Sequence, residues 1–439
     1  MALGLGFQGG VVGIGVEDTY GTAITRTIFV ELNSDGLKKD IEQMHSAAIP
    51  GIYRDDDDFA QGSITVGGDI EFEMRYQGME TLIKHAMGSC ATAETASFAV
   101  TSANKYFDFK EDAGGALLGT VEEGSYPIGA SSAVSGSLCE AIKTALEANG
   151  AGTYTVSYST TTQFVTIAVA TGASAVQFLW KTGTHGSDNT DDHIGTLLGF
   201  ADTADGSSVA SDAGTVQVQP VYTHTFTLAD ALPTGLTLEV DRDVSAFAYE
   251  GCKITTMEMS VENNGFLNCK MGIIGEDGNT GTATSATLPT SELVLFASGA
   301  ITWGGSTTSV KSANFVLDNK LSSDRRYLGS QLISEPQRTE KIDVTGTMVI
   351  DFDSTTKYDD FVAATERAVT LTFTSAALIK TGFYYTITVT FPIVKLTASA
   401  PMVTDAGALQ LELPFRAYAS DSSTREFNIA IVNALATVA

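Results

Sequence analysis

Apolar and polar residues alternate strictly through Ile64-Thr-Val-Gly-Gly-Asp-Ile-Glu-Phe-Glu-Met74. A period of two sends successive side chains to opposite faces of a strand. The pattern therefore predicts a strand with Ile64, Val66, Ile70, Phe72 and Met74 facing inward. Thr65, Gly67, Asp69, Glu71, Glu73 and Arg75 form its other face, which is polar, small and acidic. The same alternation returns 278 residues later in Ile342-Asp-Val-Thr-Gly-Thr-Met-Val-Ile-Asp-Phe352, whose polar face carries Asp343, Thr345, Thr347, Val349, Asp351 and Asp353. A short helical pattern follows each strand, at Met79–Ala86 between Gly78 and Gly88, and at Lys357–Ala364. Self-similarity at a fixed offset predicts two copies of one β-rich module.

The rest of the chain fills in around these copies. Residues 27–33 read as a strand, and Asn314–Asn319 resembles Ile28–Asn33, with a connection eight residues shorter to the next strand. In the first copy that connection holds Arg54, Asp55, Asp56, Asp57 and Asp58. From 105 to 215 the pattern changes to a small α+β unit. It has strands at 106–109, 154–158, 164–167 and 176–180, and a helix at Leu138–Ala148 that Asn149-Gly150 caps. The first pattern then resumes with strands at 224–227, 236–240 and 249–261, and Asn263-Asn-Gly265 predicts a hairpin turn. A Gly/Thr/Ser linker at 276–292 leads to the second copy, whose later strands are 384–391, 408–413 and 426–433. The expected organisation is a first module at 1–104 and 216–280, an inserted α+β domain at 105–215, and a second module at 293–439. Insertion at a surface loop of a stable module costs little.

Charge narrows the function classes. The chain has 52 acidic and 25 basic residues among 439, a net charge of −27. Such a protein lacks the clustered Lys and Arg of a phosphate-neutralising surface. The four cysteines fit neither a zinc site nor a disulfide framework, and the five histidines form no metal-ligand pair. Gly4-Leu-Gly-Phe-Gln-Gly9 lacks the strand and helix of a nucleotide-binding turn. Asp55–Asp58 lacks the alternation and central glycine of a calcium loop. No catalytic motif is present, so the expectation is no enzyme and no cofactor. The N-terminus has no signal-peptide pattern, and no apolar run of about 18 residues predicts a membrane span. A soluble protein made in the cytoplasm is expected.

Some of these residues carry a resemblance. Gly13-Ile-Gly-Val-Glu-Asp-Thr-Tyr-Gly-Thr-Ala23 resembles the N-terminal pattern of tailed-bacteriophage tail tube proteins. So does the Arg54–Asp58 loop leading into Val66–Glu73, and so does Phe247–Val261. The likeness covers about 1–90 and 220–439. The insert, through 124–126, 154–156 and 198–200, resembles a small domain found in various phage structural proteins. The resemblance implies a mainly β (α+β) fold: two tandem β-sandwich or barrel-like tail tube modules, each with one flanking helix, plus the inserted domain. It implies a virion protein whose rings stack into a hollow tail tube. The lumen would hold the tape-measure protein and pass double-stranded DNA without specific binding, and terminator and tip proteins would cap the ends. Two modules per chain imply a trimeric, pseudo-hexameric ring, with a hexamer as the alternative.

Asp69, Glu71, Glu73, Asp343, Asp351 and Asp353 are then candidate lumen residues, although an outer solvated face fits the same pattern. Arg54–Asp58 is a candidate inter-ring loop, with Arg325-Arg326 as its receptor. A decoration or host-surface adhesion protein, or an S-layer-like protein, is the alternative function.

Overall fold

A computed structural model describes residues 10–45, 59–399, 409–419 and 425–439. The first copy contains β1 (Val11–Val16), β2 (Ile28–Glu31), β3 (Ser34–Asp35), β4 (Lys38–His45), β5 (Phe59–Glu73), α1 (Glu80–Met87) and β6 (Gly88–Thr95). The insert follows with β7 (Phe98–Val100), β8 (Tyr106–Glu111), β9 (Leu117–Thr120), β10 (Gly124–Tyr126), α2 (Leu138–Asn149), β11 (Thr153–Tyr158), β12 (Val165–Thr171), β13 (Val176–Phe178) and β14 (Ser211–Ala213). The chain then returns through β15 (Val221–Leu228), β16 (Leu236–Asp241), β17 (Ala246–Glu262), β18 (Asn268–Gly275) and β19 (Asp277–Gly281). The second copy has β20 (Gly299–Trp303), β21 (Ser306–Thr307), β22 (Ser312–Asp318), β23 (Asp343–Asp351), α3 (Thr356–Val362), β24 (Arg367–Lys380), β25 (Phe383–Leu396), β26 (Gln410–Ala417) and β27 (Asn428–Asn433). The fold is mainly β, as the alternation predicts.

One antiparallel layer runs β4-β5-β18-β17-β22-β23-β26 and reaches β25 through Val394–Leu396. A second runs β20-β24-β25-β27-β15-β6. A third, β2-β1-β16-β17-β19, shares β17 with the first. β17 serves two layers because its pairing register shifts on both sides of residues 250–255, and Gly251 has φ +64°. A Cβ there would meet the Glu276 Cβ at 2.7 Å.

Both of the larger layers mix strands from the two copies, so the copies share one core rather than each burying its own. Phe391 packs on Phe315, Phe415 and Phe427 at ring separations of 5.4, 5.5 and 5.5 Å. Each such ring contributes about 1.5–3 kcal/mol through burial. The insert has a separate core of buried residues between Phe98 and Val218. Its entry and exit strands, β6 and β15, pair from Thr95↔Val221 to Gly88↔Leu228, so it sits on a two-stranded stem.

Three local expectations change. Residues 276–292 include β19, which pairs with β17; Asp277–Gly281 has no apolar alternation and is held by backbone pairing, with Lys39 reaching Asp277 at 2.5 Å and Gly278 O at 3.1 Å. Gly150 caps α2 in extended rather than left-handed conformation, its N–H reaching Leu146 O. The third concerns β22, which the pairing register matches to Ser34–Asp40 rather than to Ile28–Asn33. Ser34↔Glu71 and Asp40↔Thr65 in the first copy correspond to Ser312↔Val349 and Asp318↔Asp343 in the second. That is the offset of 278 already seen in the central strands. By the same logic β26 and β25 correspond to β18 and β17.

Candidate assembly interface

The first layer presents one continuous polar face. Directly opposed residues run in rows across it: Glu71, Lys270, Glu258, Val316, Thr345, Arg416; then Glu73, Asn268, Ser260, Asn314, Thr347, Pro414. Asp69 and Asp343 share a third row with Thr256 and Asp318. Period-two burial puts Ile70, Phe72, Val344 and Met348 on the opposite, core side. Asp69, Glu71, Glu73, Asp343 and Asp351 therefore share a face, while Asp353 lies beyond the end of β23 in the turn before α3.

Part of the acidity is paired. Lys270 Nζ reaches Asp69 at 3.0 Å, Arg416 reaches Asp343 at 3.0 Å, and Lys311 reaches Asp351 at 2.5 Å. The hydrogen bond to Asp69 raises the Lys270 ammonium above its ordinary pKa. Glu73, Glu258, Glu262 and Glu412 add to the negative side of this face.

The junction between the copies is β17 against β22, paired from Thr256↔Asp318 to Glu262↔Ser312. The β22–β23 connection then leans back across β17 and β18 to the far strand, β5. Arg326 donates to Ile64 O at 2.7 Å and to Thr65 Oγ1 at 3.0 Å. Gln331 O accepts from Ile64 N at 2.9 Å, and Gln331 Nε2 donates to Gln61 O at 2.7 Å. Buried Lys253 pairs with Glu335 of the same connection, and Asn319 donates to Ala86 O and Ile254 O. Arg325 donates to Glu335 O. Arg325 and Arg326 thus both hydrogen-bond within the chain. Nothing in the Arg-Arg dipeptide itself signals this; the connection's place between two repeated strands does.

The layer ends in two edges. β4 bonds to β5 on one side, and among the described residues no strand lies on its other side. At the opposite end, Gln410–Leu413 of β26 pair with β23 alone among the described residues. Ile41, Met44 and Phe59 are exposed on the β4–β5 hairpin, Phe59 at 71%. Arg54–Asp58 lie outside the described residues.

Among the described residues, no group of His, Cys, Asp or Glu side chains is placed to hold a metal ion. No helix there is long and apolar enough to cross a membrane.

An edge-exposed, mainly β architecture with one continuous polar face suits a class of structural proteins that assemble through strand edges. A family model described as phage tail tube protein matches residues 8–417, and the chain belongs to that family. The match runs through the insert as well as both copies. Among curated proteins, none matches the sequence. Membership makes this a structural component of the virion tail.

Proposed function

We propose that three copies of this chain close into a pseudo-hexameric ring, and that the rings stack into the tube through which phage DNA passes. One observation carries the reading: the β17–β22 junction already joins two like modules side by side within the chain. Repeating that junction between chains sets the β3–β4 edge of one copy against the β25–β26 edge of the next. Closure satisfies both edges, which would otherwise invite aggregation. The first module comprises 1–104 and 216–280, the second 293–439, and the insert at 105–215 decorates the outside.

In this ring the acidic face lines the lumen. Like charge repels phosphate, most strongly within about 10 Å at ordinary ionic strength, so DNA and the tape-measure protein slide without being held. Terminator and tip proteins bind the exposed rings at the two ends.

End-on electron microscopy of assembled tubes tests the count. Because the insert occurs once per chain, a ring of three shows three outer lobes. Six lobes mean six chains, and a protein that stays monomeric at high concentration sinks the tube reading.

A further inference from the structure

The two ends of the first layer differ in shape. β22 and β23 pair from Asp318↔Asp343 at one end to Ser312↔Val349 at the other. The first end carries the β22–β23 connection, which turns at Tyr327-Leu328. Gly329 has φ +97° and Ser330 N donates to Tyr327 O at 3.3 Å, so the turn is tight. Its flank is fixed: Arg326 bonds to β5, and Ser334 N donates to Arg325 O at 2.8 Å. The turn still holds two large apolar side chains in solvent, Tyr327 at 61% and Leu328 fully exposed. One exposed leucine would be ordinary. Here Phe59, Met44 and Ile41 are exposed as well, on the ribbon to which Gln331 bonds.

At the other end a groove of about 460 Å³ opens between the two larger layers. β17 and β22 contribute Val261 and Ala313, β20 and β24 contribute Ile301 and Phe373, and the segments before β20 and β22 add Phe296 and Val310. Charge differs between the ends too. Arg325 and Arg326 bond only to neutral oxygens among the described residues. Asp324 lies beside them, and Glu335 is taken by Lys253, which leaves the turn net positive. On the groove side, Lys311 is paired with Asp351. Glu262 on the rim and Glu412 in the same cross-strand row are exposed and have no ion pair among the described residues.

We infer that this groove receives the Tyr327-Leu328 turn of a chain in the adjacent ring. The inference rests on the tube reading above and deepens it. In that ring the strands bond sideways around the circumference, so the two ends of the layer face the rings above and below. A knob on one end and a groove on the other make a head-to-tail contact. Such a contact always leaves one free knob and one free groove, so the stack grows without closing. The two apolar side chains enter the groove, and Arg325 and Arg326 approach Glu262 at its rim.

Cross-linking of assembled full-length protein tests this. Within one chain the two sites are held apart by the nine residues of β23, about 30 Å, too far for a short bis-maleimide. The double variant Leu328→Cys with Ser309→Cys is therefore expected to give a denaturing-gel ladder that runs well past the number of chains in a ring. Each single variant should remain monomeric on the gel. A ladder that stops at the ring's own count places the contact within a ring and overturns the axial docking. Tubes that form with no cross-linking above the single variants also overturn it and leave the tube reading standing. Failure of the unsubstituted chain to form tubes overturns both. As an independent readout, Leu328→Asp is expected to lower tube yield severalfold, with single rings accumulating and the monomer melting as before. Unchanged tube yield in Leu328→Asp counts against the groove.

Discussion

The two copies share a register and differ in what covers them. In the first, α1 is almost wholly buried: Leu82, Ile83, Ala86 and Met87 are at 0% exposure, and Glu80 and His85 are buried beside them. In the second, α3 buries only Asp360, which accepts from Trp303 Nε1 at 3.0 Å and from both Arg367 Nη2 and Nε. Burial works to raise the Asp360 carboxyl, and those hydrogen bonds outweigh it, leaving its pKa below the ordinary value. One copy thus holds its helix by apolar packing and the other by a charged anchor. The first copy lies under the second copy's connection and around the insert's stem. Among the described residues, the second copy keeps Gln410–Leu413 of β26 unpaired on their outer side. A duplicated module is completed from within on one side only, and in the proposed ring another chain completes the other.

The sharpest way to break this comparison is at the repeated glycine. Gly68 has φ +144°, and a Cβ there would lie 2.1 Å from Gly36 O, a backbone atom with nowhere to go. At Gly346 the obstacle is the Phe415 ring at 2.3 Å, a side chain that can shift. Gly68→Ala is expected to cost about 2–4 kcal/mol and Gly346→Ala about 1–2 kcal/mol. Chemical denaturation of the two variants checks the order, and equal costs would show that the copies are constrained alike.

Arg326→Ala loosens the clamp over β5. Losing its charged hydrogen bonds to Ile64 O and Thr65 is expected to cost about 1–2 kcal/mol in thermal or urea unfolding of the monomer. Among the described residues the offset-equivalent end of β23 has no such clamp, so Lys341→Ala should leave the monomer within about 0.5 kcal/mol. A matching loss in Lys341→Ala would mean that this end of β23 is already braced within the chain.

The buried helix also predicts a pH dependence that begins near pH 6.5, above the carboxylate range in which Asp360 of α3 acts. Burial, with Lys84 and Lys253 nearby, lowers the His85 pKa from 6.5 to about 3. The folded chain keeps His85 neutral while the unfolded chain takes up a proton below pH 6.5. The resulting loss of stability grows as pH falls from about 6.5 toward about 3, by at most about 1.4 kcal/mol per pH unit. His85→Leu should flatten that part of the stability–pH curve. A slope unchanged by the substitution would assign the acid sensitivity to other groups.

The central strands were readable because a period of two survives in both copies and both sit in mid-layer, where every second side chain must be apolar. Residues 64–74 and 342–352 therefore announced the repeat, and the polar face of Asp69, Glu71 and Glu73 followed from parity. The second copy of the edge strand was harder. Ile28–Leu32 looks more like Phe315–Leu317 than Ser34–Asp40 does, because an edge strand solvated on one side has little apolar pattern to preserve. The cleft of about 590 Å³ lined by Arg338, Lys341, Arg416 and Arg425 was not legible at all. Three separate segments supply those side chains, and only the fold gathers them. The committed role of Arg326 was hidden for the same reason: its partners are 261 and 262 residues away.

The smallest effect on stability is expected at the acidic face, and there the comparison between copies should vanish. Glu73 in the first copy and Thr347 in the second lie in one cross-strand row, half-exposed and away from the core. Substitutions at such sites usually change stability by no more than about 0.5 kcal/mol. Glu73→Lys and Thr347→Lys should therefore fold and assemble like the parent chain. In the proposed ring their effect belongs to the lumen: each adds positive charge where phosphates would pass, and bound phosphates release counterions, so retention should weaken steeply with salt. Tubes carrying both substitutions are expected to retain short double-stranded DNA at low salt and release it as salt rises, while parent tubes retain none. If both kinds of tube ignore DNA at every salt concentration, this face looks outward, and the lumen is lined by another surface of the ring.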